Sequence, residues 1–416
     1  MPSRPIAVDL FAGAGGMSLG FEQAGFDVLA SVEIDPVHCA THQFNFPFWS
    51  ILCRSVTDIT GEQIRQLSAI GDREIDVVFG GPPCQGVSLI GKRRLGDPRN
   101  ELMLHFLRLV LELKPKFFVM ENVPGLAIGE HQFLFQEIIE RFQKKGYKVE
   151  TNYQVINAAN YGVPQNRKRL FLLGCQPDYP LPNYPQPITQ PTLERKFSKD
   201  SSTFQLQKTP TVGEAIQDLP EVNNYPELCD RDWAIADYGK PSNYASQLRS
   251  FHLLNDDFSY QRNYNQSLLT SSFRTQHTPQ SIQRFSETLP GKIEPTSRLY
   301  RLSLDGLCNT LRAGTPRNLG AYTAPRPIHP RTPRCITVRE AARLHSYPDW
   351  FRFHITKWHG FRQIGNSVPP LLAKAIAQEI IKALGIQPTK PPVEQFLGEE
   401  KLLQFNFSQA AKNYEG

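Results

Sequence analysis

The sequence predicts a doubly wound α/β domain joined to a smaller, irregular one, and three features predict it. Short apolar runs alternate with helically spaced stretches through the first 175 residues. That rhythm stops at a tract rich in Pro, Gln, Ser and Thr. Helical spacing returns only late, at Val338–Leu344 and Leu371–Leu384.

Taken in order, Ile6–Phe11, Val28–Ile34, Asp76–Gly80 and Phe117–Met120 are almost continuously apolar. That is the texture of parallel strands covered on both faces. Met17–Ala24 and Asn100–Leu113 lie between them with helical spacing; Asp97 can cap the second, and Pro98 suits its first turn. Phe133, Phe135, Ile138, Ile139 and Phe142 mark another helix, which Gly146 ends. Val155–Ile156 and Leu170–Leu173 continue the sheet. The tract 176–210, with PDYPLPNYPQPITQP, reads as a linker or extended crossing, and no βαβ rhythm follows before about residue 338. The last ~25 residues are polar and expected to be peripheral.

The chain has 416 residues, 40% apolar and 21% charged, as a soluble globular protein does. No run of about 18 apolar residues exists, so no membrane span is expected. MPSRPIAVDLF leads straight into a strand, which leaves no room for a secretory signal and predicts a cytoplasmic protein. The seven cysteines (39, 53, 84, 175, 229, 308 and 335) include no C-x-x-C pair. Neither a disulfide framework nor a metal site is expected. The net charge of +6 is compatible with a nucleic-acid partner without requiring one. Residues 176–240 hold six Lys or Arg against ten Asp or Glu, whereas 241–338 hold twelve against five, eleven of them Arg. Arginine's fork of donors suits phosphates and guanine edges, although charge alone fits a solvated basic face equally well.

Four stretches carry chemistry. DLFAGAGG, Asp9–Gly16, follows the first strand; its glycines allow a tight turn and close approach to a ligand, a weak signal alone. Glu33 ends the next strand, where an acid can hold ribose hydroxyls, and Asp58 falls at the expected end of a third. No GxGxxG is present, which counts against a nicotinamide or flavin. In FGGPPCQG, residues 79–86, two prolines stiffen the approach to Cys84 at a strand end, where doubly wound folds bind ligands. A structural cysteine would sit inside a strand or helix; Cys84 in its polar turn reads as a nucleophile. FFVMENVPG brings Glu121 and Asn122 to the same edge, Glu121 as an acid or as a cap. NYGVPQNRKRLFLLG supplies Arg167 and Arg169, which share a face of an extended segment and can point into one site.

With Glu33, the motifs DLFAGAGG, GPPCQ, ENV, QNRKR, REAARL and GNSVPP stand in the order found in the C5-cytosine DNA methyltransferase family. The chain resembles the single-chain bacterial members over roughly residues 5–175 and 325–385. Adenine-N6 and cytosine-N4 methyltransferases place an aromatic after Pro-Pro, where this chain has Cys84.

The resemblance implies a Rossmann-like, S-adenosylmethionine-dependent catalytic domain over 1–178 and a target-recognition domain over 179–361. A segment at 362–388 would return to the first domain, and 389–416 would be a peripheral tail. Cys84 matches the nucleophile that adds to cytosine C6. Glu121 matches the acid at N3 and the exocyclic amine. Arg167 and Arg169 match the basic pair, with Arg169 at the ring carbonyl; no residue is assigned as the base for the C5 proton. Phe11, Ala12, Gly13, Gly16, Glu33, Ile34, Asp58, Pro83, Leu102, Asn366, Ser367 and Val368 match the cofactor pocket, with Ile34 where some members have an aromatic. Gln85–Arg94 resembles the loop that closes over a flipped base, with Gln85, Ser88, Lys92 and Arg93 on DNA and Val87 replacing an aromatic. Thr310, Leu311 and Arg312 match the base-reading end of the recognition domain. In REAARLHSYPDW, Arg339, Glu340 and Arg343 read as scaffold ion pairs.

Double-stranded DNA is then the expected partner, with the chain a monomer and a cognate restriction endonuclease acting on the same site. A tRNA cytosine methyltransferase is the nearest alternative, opposed by the ~150-residue insertion with its Arg-rich second half. A catalytically dead DNA-binding regulator would have lost Cys84, Glu121 or the glycines.

Overall fold

The computed structural model describes residues 4–83, 101–129, 131–191, 206–250, 255–314 and 326–415. Its first third alternates strand and helix: β1 (Ile6–Leu10), α1 (Gly16–Ala24), β2 (Asp27–Glu33), α2 (Pro36–Asn45), β3 (Ser50–Cys53), α3 (Gly61–Gln66), β4 (Val77–Gly80), α4 (Glu101–Leu113), β5 (Phe117–Asn122) and α5 (His131–Lys144). β6 (Lys148–Val149), β7 (Gln154–Asn157) and β8 (Lys168–Cys175) complete one sheet in the order β3-β2-β1-β4-β5-β8-β6, with β7 also on β8. β3 to β5 are parallel, and β8 pairs antiparallel with β5. Alternation along β1 feeds two cores: Ala7 joins the cluster on one face, and Ile6, Val8 and Leu10 the cluster on the other. Both faces are covered, as the unbroken apolar runs require.

Two elements differ from the sequence reading. Phe133 is 80% exposed although it sits in α5, whose inward face is Phe135, Ile138, Ile139 and Phe142. The third strand ends at Cys53, so Asp58 lies beyond it in a turn, not at a strand end. The capping pair Asp97 and Pro98 lies outside the described residues.

Beyond Cys175 the elements are short: α6 (Val212–Ile216), α7 (Asn243–Leu248), α8 (Pro279–Glu287), α9 (Val338–Leu344) and α10 (Lys357–Asn366). Two small clusters belong to this region alone, one around Leu228 and Leu269, one around Phe285 and Ile328. Val212, Leu248, Leu302 and Ile336 instead join Phe21 and Phe79 in the larger cluster against the sheet. α11 (Pro370–Leu384) returns to pack along α1. No described helix is long and apolar enough to cross a membrane.

The final segment is not the peripheral tail its polarity suggested. Leu402 and Leu403 bury against Ala40 and Phe44 of α2, and α12 (Phe407–Asn413) lies on the same helix. Tyr414 donates its hydroxyl to Gln43 Oε1 at 2.7 Å. A few well-placed apolar residues suffice to dock a segment whose average composition is polar.

REAARL anchors the irregular region. The buried Arg343 guanidinium donates to Asp349 at 2.6 Å and to Asp218 at 2.9 Å. Arg339 donates to Thr270, Pro348 and Phe351. Arg334 joins Glu340 at 2.8 Å to Glu221 at 2.9 Å. Burial alone would raise the Glu340 carboxyl; the charges of Arg334 and His329 override it and hold the group at about 2. A depressed carboxylate stabilises the fold fully above its ordinary value near 4.5 and loses that contribution as pH falls toward 2. Glu340→Gln is therefore expected to cost about 3 kcal/mol at pH 7 and to flatten the acid dependence. Urea titrations at pH 7 and pH 3 check this; an unchanged midpoint at pH 7 would contradict it.

Candidate active site

The parallel strands β1, β2, β4 and β5 bring their carboxyl ends to one edge of the sheet, where open α/β folds bind ligands. β8 runs the opposite way, so its start lies beside Asn122 at that same edge. There the chain borders a cleft of about 610 Å³, within the roughly 300–1,000 Å³ usual for small-molecule sites.

One side of the cleft is the turn after β1. Phe11, Ala12, Gly13 and Gly16 all line it, and Phe11 takes a left-handed φ of 64° to turn the chain. Gly16 permits a close approach: a Cβ there would lie 2.6 Å from the Val368 carbonyl oxygen. That contact brings Asn366, Ser367 and Val368, at the junction of α10 and α11, into the same wall. Glu33 closes the turn from the next strand. Its carboxylate accepts from the backbone N–H groups of Gly13 at 2.8 Å, Ile34 at 3.0 Å and Asp35 at 2.9 Å. An acid so fixed, 9% exposed at a cleft wall, keeps an acceptor position on Oε2 for a ligand hydroxyl. Ile34 beside it is 68% exposed.

The other side carries a carboxyl and an arginine. Glu121 Oε1 lies 2.8 Å from Arg169 Nε, with side chains 12% and 13% exposed. Burial raises the Glu121 carboxyl above the usual range; the charges of Arg169 and Arg167 pull it back in part. Gly81 makes room for it, since a Cβ there would lie 2.6 Å from Glu121 Oε2. Asn122 donates its amide to the Pro82 carbonyl at 3.0 Å, tying the Pro-Pro segment to β5. Pro83 lines the cleft. Cys84, its neighbour, lies outside the described residues, as do Gln85, Ser88, Lys92 and Arg93.

Four expected site residues are placed otherwise. Arg167 does not enter the cleft beside Arg169. Its guanidinium is fully buried and donates to the carbonyls of Leu311 at 2.7 Å and of Gly365 and Ser367 at 2.8 Å. It clamps the irregular region and the GNSVPP segment onto the catalytic edge. Asp58 is exposed and accepts the Thr57 hydroxyl; it is not among the described residues lining the cleft. Leu102, half-buried on α4, packs against the core cluster and is likewise not among them. Leu311 is 3% exposed, with its N–H bound to Gln165 and its carbonyl to Arg167, so both backbone groups are engaged within the fold and only its side chain edges a surface cleft. Thr310 donates its hydroxyl to the Asn166 carbonyl at 2.6 Å. Arg312 is exposed and lines two open surface clefts with Tyr300, Asn309 and Thr310.

Sequence reasoning missed several wall residues. Asp9 heads the DLFAGAGG motif and Asp35 lies two residues past Glu33, and both were legible as acids near strand ends. Asp9 accepts the Ser18 hydroxyl at 2.6 Å, and burial holds its carboxyl well above the ordinary range. Phe407 of α12 also lines the cleft, and no motif announced it.

A family model described as C-5 cytosine-specific DNA methylase matches residues 7–382. Type II methyltransferase M.XorII of Xanthomonas oryzae pv. oryzae is 55% identical over 409 residues, 98% of this chain and 92% of that one. Type II methyltransferase M1.HphI of Haemophilus parahaemolyticus is 35% identical over 378 residues, covering 90% and 86%. A solved E. coli prophage-encoded protein, described as a DNA modification methyltransferase, superposes with a TM-score of 0.72 at 32% identity, covering 92% of this chain and 100% of that one.

Proposed function

The chain belongs to the C-5 cytosine-specific DNA methylase family, and from that premise we propose that Cys84, Glu121 and Arg169 act together on a cytosine flipped out of duplex DNA. The protein is a DNA (cytosine-5-)-methyltransferase. The observation that carries the residue assignment is the cleft itself. It joins the Glu121–Arg169 pair and Pro83 to a glycine turn and a fixed acid.

S-adenosylmethionine fits that cleft: Glu33 offers an acceptor for ribose hydroxyls, the glycine turn admits close backbone approach, and Ile34 gives a ring an apolar surface. When bound it supplies an electrophilic methyl group. Cys84 as thiolate forms a C–S bond to cytosine C6, pushing electron density onto C5, a poor nucleophile in the free base. Glu121, whose carboxyl burial raises above its usual range, donates to N3 in its acid form and so stabilises the negative charge of the adduct. Arg169 holds Glu121 in place and offers its remaining N–H donors to the ring carbonyl. Once C5 is methylated, loss of its proton breaks the C–S bond and restores both the ring and the thiolate. Arg167 acts as a positioning residue through its three carbonyl contacts. Flipping the base costs a few kcal/mol of unstacking, offset by contacts in the pocket.

Incubation with tritiated S-adenosylmethionine and either duplex DNA or tRNA tests this reading. Label recovered as 5-methyldeoxycytidine is expected; label in tRNA alone would overturn it. Arg312 is proposed to read a base edge, and Arg312→Ala is expected to narrow the rate gap between cognate and singly altered duplexes by about 10- to 100-fold. Equal slowing on both duplexes would contradict that. The relatives' names as type II methyltransferases support a restriction endonuclease of the same site specificity as functional partner. A monomer acting on DNA in the cytoplasm completes the proposal.

A further inference from the structure

We propose that the C-terminal helix completes the cofactor pocket, with Phe407 packing on the purine ring of S-adenosylmethionine alongside Ile34; this rests on the cofactor reading above. Phe407 and Ile34 are 63% and 68% exposed, yet both line the one cleft that holds Glu33. Large apolar side chains left in water at a cleft wall are surface waiting for an apolar ligand face. Glu33 immediately precedes Ile34, so a ribose held by that carboxylate carries its attached ring to the apolar rim. An aromatic side chain and a purine gain from stacking or edge contact beyond the area they bury.

The placement of Phe407 is fixed by its neighbours. Asn406 and Gln409 cap α12 reciprocally, at 2.9 and 3.0 Å. Before it, Leu402 and Leu403 are buried on α2, and the Phe405 carbonyl bonds His354 Nε2 at 3.0 Å. After it, Ala410 is fully buried and Tyr414 reaches Gln43. The tail thus docks on α2, whose N-cap Asp35 and first-turn His38 line the same cleft. Only Phe407 on this helix points an aromatic at the site, and its exposure means that its removal leaves no cavity in the fold.

Titration calorimetry of the full chain with S-adenosylhomocysteine tests the proposal without turnover. Phe407→Ala is expected to raise Kd about tenfold, which is 1.4 kcal/mol, while Phe407→Tyr stays within about twofold. The ligand-free unfolding midpoint of both variants is expected to match the unsubstituted chain. Equal affinity of Phe407→Ala and the unsubstituted chain would overturn the role of Phe407 and leave the cofactor reading standing. Failure of the unsubstituted chain to bind would overturn both. Should Phe407→Ala shift the ligand-free midpoint, an intact affinity in Phe407→Ser at a temperature well below both midpoints would equally overturn it.

Discussion

Cys84→Ser is expected to lower kcat by about 10⁴-fold or more, the scale seen when the nucleophile of a covalent mechanism is removed. A serine hydroxyl stays protonated at neutral pH and has no base assigned to activate it, whereas a thiol yields its thiolate far more readily. The substitution changes one atom next to Pro83 at the cleft wall. S-adenosylhomocysteine affinity is therefore expected to stay within about twofold, because the turn, Glu33 and GNSVPP are untouched. Single-turnover methyl transfer, read beside calorimetric binding, checks both halves. Turnover retained within tenfold would remove Cys84 as the nucleophile.

Glu121→Gln is expected to slow the chemical step by about 10²- to 10⁴-fold, the usual contribution of a positioned acid. Glutamine preserves the shape beside Gly81 and can still meet Arg169, but it has no acidic proton. Burial raises the Glu121 carboxyl above its usual range, so the acid form persists to higher pH than in a free side chain. The acid form is lost as pH rises through that raised value, so kcat of the unsubstituted enzyme is expected to fall along an alkaline limb that the glutamine variant lacks. DNA affinity is expected to change little, since Glu121 lies in the cleft wall and not on an outer surface. A variant with an ordinary rate, or one that keeps the limb, would show that Glu121 is no acid.

Most of the sheet and much of the cleft wall are legible in the sequence itself. Parallel strands covered on both faces must be apolar throughout, so β1, β2, β4 and β5 declared themselves, and the polar residues at their ends marked the ligand edge. The antiparallel β8 was not distinguishable, because local apolarity carries no strand direction. Arg167 and Arg169 look equivalent in an extended segment. Their fates diverge because the carbonyls of Leu311, Gly365 and Ser367, 144 to 200 residues away, capture only Arg167. Leu311 is tied down in the same way: its backbone N–H and carbonyl are held by Gln165 and Arg167, partners remote in sequence. Phe407 was invisible because it is one of several aromatics scattered without a helical period through a polar tail, and its placement depends on Leu403 and Tyr414 finding α2.

Bisulfite sequencing of genomic DNA from a methylation-deficient bacterial host expressing this chain tests the central claim most directly. Cytosines protected in one short sequence context, and unprotected when Cys84→Ser is expressed instead, are the expected result. Soluble enzyme that binds S-adenosylhomocysteine yet protects no cytosine, or protects the same ones without Cys84, would contradict it.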